Sequence, residues 1–455
     1  MPFPRTYHIV TYGCQMNDSD SEIMAGLLAA KGLEPVATAE DADVVIVNTC
    51  VVREGAEERA VGRLASLASA KKRGSKILAV SGCMAQKDGE RLLEQLPFVD
   101  LVVGTRDLFR IDSLIDEVAE RGQPLVAIDD IDRPVFAGAL PARRMSTVRG
   151  LVTVMYGCNN FCTFCIVPRT RGRETSRPVA EVVDEVRRLA DAGYAEVILL
   201  GQNVNSYYDR QSRADFADLL AAVNAVDGIR RIRFVTSHPK DCSARLIEAM
   251  ACLDKVCESI HLPAQAGSNR VLRRMKRFYT KEEYLALLGE LRARVPGVAI
   301  TTDIIVGFPD ETDLDFEETY DLMRRARWDS AFTFMYSPRP GTRAAEWLDS
   351  VPLEVKKERL GRCIGLQEQI SAEINAQLVG TLQNVLVESV SKRSDSELMG
   401  RTRTDKAVVF RGPTSLIGSE VCVRITEAFA HTLRGELIVG GTAGREHEMT
   451  AAVQT

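Results

Sequence analysis

Nowhere in this chain of 455 residues does an apolar run approach the roughly 18 residues that a membrane-spanning helix requires. The opening segment, "MPFPRTYHIVTYGC", lacks a basic stretch followed by an apolar core. No export signal is therefore expected, and a cytoplasmic location without membrane attachment is. Basic charge is not in excess either: 58 Lys and Arg face 63 Asp and Glu, a formal net charge of -5. That excludes a uniformly basic nucleic-acid coat but leaves room for a local basic patch, which is enough to hold RNA. What is present is ordinary for a water-soluble globular protein, with 45% hydrophobic and 27% charged residues. The length is too great for one domain and suits roughly three.

Cysteine is the informative residue. There are 11, an odd number. In a large chain of a reducing compartment, clustered cysteines point to metal or catalysis rather than to disulfides. Three of them end a repeated pattern in the first third. "YHIVTYGC" closes on Cys14, "DVVIVNTC" on Cys50 and "KILAVSGC" on Cys83. Each apolar run reads as a strand. The patterns between them, "SEIMAGLLAAKG" and "AEERAVGRLASLASAKKRG", read as helices, each closed by a capping glycine. The intervals suit strand–helix–strand units of roughly 30 residues or more. A fourth strand, "FVDLVVG", follows, and the whole is an open parallel sheet with helices on its faces. Each cysteine lies just past the carboxyl end of its strand, where such sheets bind ligands. One cysteine there could be an inert thiol; three in register point to a shared site.

A Pro-, Gly- and Arg-rich stretch, "DDIDRPVFAGALPARRMSTVRG", reads as a linker. Six strands then alternate with helices: "LVTVMYG", "AEVILLGQ", "RIRFVTS", "ESIHLPAQ", "AITTDIIVGF" and "AFTFMYS". That is two units short of a closed eight-unit barrel, and a partial barrel can admit a large substrate from its side. Leu353 to Leu378 reads as a long charged helix leaving the barrel. Short strands punctuated by turns follow, which suits a small β-barrel. The expected domains are 1–125 (α/β), 126–145 (linker), 146–375 (partial barrel), 376–445 (β-barrel) and 446–455 (tail). Lys392, Arg393, Arg401, Arg403 and Arg411 lie on or near the last strands and suit RNA contact, against the plainer reading of a solvated face.

"YGCNNFCTFCIVPRTRGRE" packs Cys158, Cys162 and Cys165 into a C-x3-C-x2-C spacing after the first barrel strand. A structural zinc site is closed by four ligands, and a 4Fe–4S cluster also normally takes four thiolates. Here three are supplied, with no fourth cysteine or histidine nearby. One iron would then lack a protein ligand, and an open position is what binds a substrate. A zinc knuckle completed from a distance is the alternative. Cys242, Cys252, Cys257, Cys363 and Cys422 fall outside any pattern and read as buried small hydrophobes.

This spacing at this place resembles the radical S-adenosylmethionine enzymes. Three further cysteines in a preceding parallel sheet and a small β-barrel at the end narrow the resemblance to the methylthiotransferases, whose last module is the RNA-gripping TRAM barrel. "LLGQNVNSY", "SHP", "IVGFPDET" and "YSPRPGT" carry it across nearly the whole chain. Two positions depart from it: Asp310 and Phe278 stand where glycine is expected.

The resemblance implies two 4Fe–4S clusters. Cys158, Cys162 and Cys165 would hold the one that cleaves S-adenosylmethionine to a 5′-deoxyadenosyl radical. Cys14, Cys50 and Cys83 would hold one that carries or delivers sulfur. The implied reaction places a methylthio group on carbon-2 of a prenylated adenine beside the tRNA anticodon. It uses two S-adenosylmethionine molecules, an electron donor such as flavodoxin or ferredoxin, and a sulfur donor. Sister enzymes act instead on threonylcarbamoyl-adenosine or on a ribosomal-protein aspartate, and a zinc-containing RNA-binding protein is the non-catalytic alternative. Gly201, Gln202 and Asn203, after the second barrel strand, are expected to shape the cofactor pocket, with Ser237 and Gln265 from the third and fourth, the plainer reading of those last two being strand-end caps. Arg169, Arg171 and Arg173 are expected to hold tRNA phosphates, the plainer reading being ion pairs with Glu174 and its neighbours.

Overall fold

Strands that are apolar along their whole length need cover on both faces, and parallel sheets supply it with helices. The first third folds that way. The computed structural model describes residues 4–51, 54–71, 76–131 and 142–438. Strands β1 (Thr6–Thr11), β2 (Glu34–Pro35), β3 (Val44–Thr49), β4 (Ile77–Gly82), β5 (Leu101–Val103) and β6 (Leu125–Ala127) form one parallel sheet in the order β2-β1-β3-β4-β5-β6. β3 and β4 are buried along their entire length. One face packs under helices Gln15–Ala30 and Ile111–Arg121, the other under Glu54–Lys71 and the short helices Cys83–Asp88 and Glu90–Gln95. The expected four strands are present. Two short ones, β2 and β6, were not legible from pattern. β1, β3 and β4 are neighbours, so the chain segments bearing Cys14, Cys50 and Cys83 leave the sheet side by side.

The six expected barrel strands are Arg149–Thr153, Glu196–Leu200, Arg231–Phe234, Ser259–His261, Ala299–Val306 and Ser330–Met335. They pair in parallel as two three-stranded sheets, joined by a single bridge between Ile232 and Val256. Among the described residues no pairing joins the first strand to the sixth, so the barrel is open. The N-terminal domain lies against the first strand. Ser19 shares a 3.0 Å hydroxyl hydrogen bond with Thr153, and Arg144 bridges Glu22 and Glu185 at 2.8 and 2.6 Å.

The helix expected to leave the barrel does not leave it. Leu353–Ala376 lies along the sixth strand and buries Lys356, Arg359, Cys363, Gln367, Ile370 and Asn375, a helical stripe made largely of polar residues. The polar members find partners: Lys356 pairs with Asp349 at 2.6 Å and Arg359 with Glu311 at 2.7 Å, while Gln367 and Asn375 each donate to a carbonyl, of Trp328 and Phe429, at 2.8 Å. Of the five unpatterned cysteines, Cys257 and Cys363 are buried as expected, Cys242 and Cys422 are half-buried, and Cys252 is exposed at a helix end.

The C-terminal strands close into a five-stranded barrel. It docks on the amino ends of the central strands, the end opposite the one where barrel active sites form. Arg231, which begins the third barrel strand, donates to Glu420 at 2.5 Å and to the Arg401 carbonyl at 2.7 Å. Arg233 donates to Glu196 at 2.8 Å and to the Thr402 carbonyl at 2.6 Å. Lys406 pairs with Asp329 at 2.7 Å. Arg233 and Glu196 have side chains only 7% and 1% exposed. Glu196→Ala strands a buried cation, so it should lower stability by about 3–5 kcal/mol, read as a reduced urea midpoint. A midpoint shifted no more than by a surface substitution would show that the pair is not a structural clamp. The linker residues 132–141, residues 439–445 of the expected β-barrel domain and the expected tail lie outside the described residues.

Candidate active site

The two sets of three cysteines follow the carboxyl ends of strands in two sheets. In the first, Cys14 precedes the helix Gln15–Ala30, while Cys50 and Cys83 follow the paired residues Thr49 and Gly82. Gly82 has φ 93°, and a Cβ there would collide with the Thr49 carbonyl oxygen. Only glycine lets the two chains run this close as they deliver their cysteines. A buried amide pair fixes the floor: Asn17 donates to Asn48 at 3.2 Å and to the Thr49 carbonyl at 3.0 Å, and Asn48 donates to the Asn17 carbonyl at 2.9 Å. A hydrogen bond with Cys50 brings the Cys14 thiol down to about 6 against the opposing effect of burial, with Arg171 and the first amides of the helix adding to it. Burial pushes Cys83 the other way.

The second triad lies in the loop after the first barrel strand. Gly157, at φ 76°, lets that loop fold against the backbone of Gly172 and Arg173. The Cys158 amide donates to the Gly172 carbonyl at 3.1 Å, and the Cys165 amide to Cys162 at 3.0 Å. Burial pushes the Cys158 thiol up to about 11 and that of Cys165 up to about 12. Thiols so placed become thiolates only when a cation joins them. One cation is already there: buried Arg277 donates to the Cys162 sulfur at 3.5 Å and to the Pro263 carbonyl at 2.9 Å. Nothing in the sequence distinguished Arg277 from the other arginines of "LRRMKR".

Four of the five expected pocket residues share a property. Gln202, Asn203, Ser237 and Gln265 each carry a buried side-chain N or O atom without a hydrogen-bond partner. Gln202 spends its oxygen on the Gly157 amide and Asn203 its amide on Asp241, which leaves Gln202 Nε2 and Asn203 Oδ1 open. His238 joins them. Its Nδ1 accepts from the Lys240 amide at 3.2 Å, its Nε2 has no partner, and burial drives its pKa down to about 2, so the ring is neutral. "SHP" held this signal, although the histidine itself was not singled out. Such groups cost roughly 1–3 kcal/mol each when left unpaired. Here they follow the carboxyl ends of three adjoining strands. Strain gathers there too: Phe161, Thr236 and Gln265 have φ of 48°, 66° and 69°. Gly201 is different. A Cβ on it would meet Met155 at 2.5 Å, so packing against that core side chain already calls for glycine here.

The arginines divide. Arg169 and Arg173 are exposed, and Arg173 stacks 4.6 Å from the ring centre of Phe161. Arg171 is buried, 2.7 Å from Asp20, and its expectation as a phosphate contact is withdrawn. Arg403 likewise belongs to the domain clamp, with a forked contact to Glu258 at 2.8 and 2.7 Å. Arg401 is held by Asp405 at 3.3 Å and lies near Glu388 at 3.6 Å. Lys392 and Arg393 are exposed in a hairpin of the small barrel. Asp310 does adopt the glycine-like conformation expected of its position, φ 64°, and pairs with Arg274 at 2.7 Å. Phe278, 60% exposed, has no such backbone, so glycine is not required there.

Among the described residues no three His, Cys, Asp or Glu side chains converge on a single metal-ion position. Ligands of different irons in one cluster need not converge so. Residues 6–104 match the uncharacterized protein family UPF0004, residues 152–323 the radical SAM superfamily and residues 376–438 the TRAM domain. Among solved structures, the radical S-adenosylmethionine methyltransferase TsrM from Kitasatospora setae shares the fold. Its TM-score is 0.54 at 14% identity, covering 84% of this chain and 78% of that one. The tRNA-2-methylthio-N(6)-dimethylallyladenosine synthase of Carboxydothermus hydrogenoformans is 46% identical over 95% of this chain and 99% of its own length. That of Moorella thermoacetica is 50% identical over 96% of this chain and 99% of its own. With both triads, the open barrel and the terminal β-barrel in place, the chain belongs to the family of the tRNA-2-methylthio-N(6)-dimethylallyladenosine synthases.

Proposed function

We propose that this protein converts N6-dimethylallyladenosine beside the anticodon of tRNA to its 2-methylthio derivative, with two S-adenosylmethionine molecules consumed per base. The likeness to the Moorella thermoacetica synthase, 50% identical along 96% of the chain, carries the reading. The residues present fit the groups this chemistry needs. Each triad offers three thiols and leaves one iron of a four-iron cluster without a protein ligand. The unpaired Gln202 Nε2, Asn203 Oδ1, Ser237 Oγ, His238 Nε2 and Gln265 Oε1 offer donors and acceptors for the amino, carboxylate and sugar groups of S-adenosylmethionine.

When bound, the barrel cluster and S-adenosylmethionine supply a carbon radical able to take hydrogen from an unactivated C–H bond, which acid–base catalysis cannot do. The protein positions and shields. Cys158, Cys162 and Cys165 would fix the radical source at the barrel mouth, and Cys14, Cys50 and Cys83 would present sulfur from the adjoining sheet. Arg277 offsets negative charge beside Cys162. Phe164, within the barrel cysteine loop, packs edge-on to Phe308 at 6.4 Å and anchors that loop on the barrel core. A one-electron donor of the flavodoxin or ferredoxin type and a donor of inorganic sulfur complete the requirement. A tRNA substrate puts the enzyme in the cytoplasm, and among the described residues no helix is long and apolar enough to cross a membrane.

Nucleoside mass spectrometry of tRNA from cells lacking the protein should show dimethylallyladenosine accumulating and its methylthio derivative absent. Loss of methylthiolated threonylcarbamoyl-adenosine instead, or no change, would overturn the assignment.

For tRNA contact the exposed hairpin pair Lys392 and Arg393 is the sharper test. Deleting the whole small barrel would bare Arg231 and Arg233 and confound folding with binding. Changing both hairpin residues to Ala should weaken tRNA binding and reduce the slope of log K against log salt by about 2. An unchanged slope would remove this hairpin from the RNA interface.

A further inference from the structure

We infer that Arg171 is a positioning residue of the N-terminal cysteine site. Carried there by the barrel domain, it sets the charge around the cluster held by Cys14, Cys50 and Cys83 and ties that cluster to the loop of the other triad. The inference rests on the reading of those three cysteines as cluster ligands.

Its place in the chain belongs to the barrel. Arg171 closes the short helix Val167–Thr170 that directly follows Cys165. Its surroundings belong to the other domain. The Arg106 guanidinium donates to the Arg171 carbonyl at 2.8 Å, and the Thr105 hydroxyl to the Thr170 carbonyl at 2.5 Å. The side chain is 3% exposed and stands 2.7 Å from Asp20, whose side chain is 1% exposed. Asp20 lies on the helix that Cys14 precedes. The contact is a buried ion pair in which both terminal guanidinium nitrogens and both Asp20 oxygens miss strict hydrogen-bond alignment, and the same guanidinium reaches the Cys83 side chain. Cys83 and Cys14 are the other groups that feel this cation.

A buried cation with unfilled donors is costly unless something anionic completes it. Asp20 supplies one negative charge but not the geometry. A cluster bound by three thiolates would supply both charge and sulfur acceptors. The barrel triad shows the same pairing in a finished form, with Arg277 on Cys162 and its other donors filled by Pro263 and Tyr279. Each triad thus has a buried arginine beside it, and Arg171 reaches its site from the other domain.

A cation beside a cluster favours its reduced, more negative state; an anion does the opposite. The test uses full-length protein with Cys158, Cys162 and Cys165 replaced by Ala, so that one cluster is seen. Iron is measured first, since no retained iron would sink the cluster reading itself, separately from the role of Arg171. The midpoint potential is then followed by the electron paramagnetic resonance of the reduced cluster. Arg171→Gln should raise the oxidised-to-reduced ratio at a given potential about tenfold, about 59 mV for one electron. Asp20→Asn should move it in the opposite direction, and Arg171→Lys should leave it near the parent value. A merely structural role predicts no opposed signs. Iron lost from Arg171→Gln but kept by Arg171→Lys would also support the inference. It is overturned by an unchanged midpoint in Arg171→Gln, by shifts of one sign from both partners, or by equal iron loss from both arginine variants in protein of native circular dichroism.

Discussion

Protein with Cys158, Cys162 and Cys165 all replaced by Ala should hold about four irons after anaerobic reconstitution, against about eight for the unaltered chain, and should release no 5′-deoxyadenosine. The expectation follows from two triads in two separately built domains. Each has its own backbone supports, and those of the barrel loop do not use sulfur. The Thr163 amide donates to the Met275 carbonyl at 3.1 Å and its hydroxyl to the Arg274 carbonyl at 2.8 Å, so the loop stays anchored without its thiols. Arg277 loses one acceptor of several. The N-terminal floor of Asn17 and Asn48 is untouched. Iron and labile sulfide on the purified variant decide the matter. Loss of all iron, or of none, would show that the six cysteines do not form two independent sites.

How far the sequence alone reaches can be judged residue by residue. Strand-end cysteines were legible because apolar runs fix where a parallel strand ends, and each run stops within a few residues of its cysteine. The short strands β2 and β6 were not legible: β2 is two exposed residues and β6 is mostly half-buried, so neither makes a continuous apolar run like the equally short, fully buried β5. The buried polar stripe of Leu353–Ala376 was misread for a related reason. Lys356, Arg359 and Gln367 look like solvent residues until the barrel supplies Asp349, Glu311 and the Trp328 carbonyl. The arginines show the same limit most clearly. Arg171 and Arg403 stand in basic stretches and read as phosphate contacts. Their acids, Asp20 and Glu258, lie in other domains of the chain, and only the fold brings them together. Charge composition reports how many arginines there are, not which ones are already paired.

The converse variant, with Cys14, Cys50 and Cys83 replaced by Ala, should separate radical formation from sulfur insertion. It should keep the barrel cluster, with about four irons, and, given reductant and S-adenosylmethionine, still release 5′-deoxyadenosine. On tRNA it should form no methylthio-adenosine. The residues expected to receive S-adenosylmethionine, from Gln202 to Gln265, all belong to the barrel, and none depends on the N-terminal thiols for its place. Folding is the obvious confounder, because Cys50 and Cys83 are buried. Each exchange removes one sulfur from a packed site, which costs about 1 kcal/mol in an ordinary case. Gly82 and the Asn17–Asn48 pair still hold the chains in register. Circular dichroism and retained iron therefore come first, then the two products are assayed on one preparation. Methylthiolated tRNA formed at the normal rate by folded variant would leave the second triad without an essential role. Loss of 5′-deoxyadenosine as well, with the barrel iron intact, would mean that the sheet governs the radical site across the boundary where Arg171 meets Asp20.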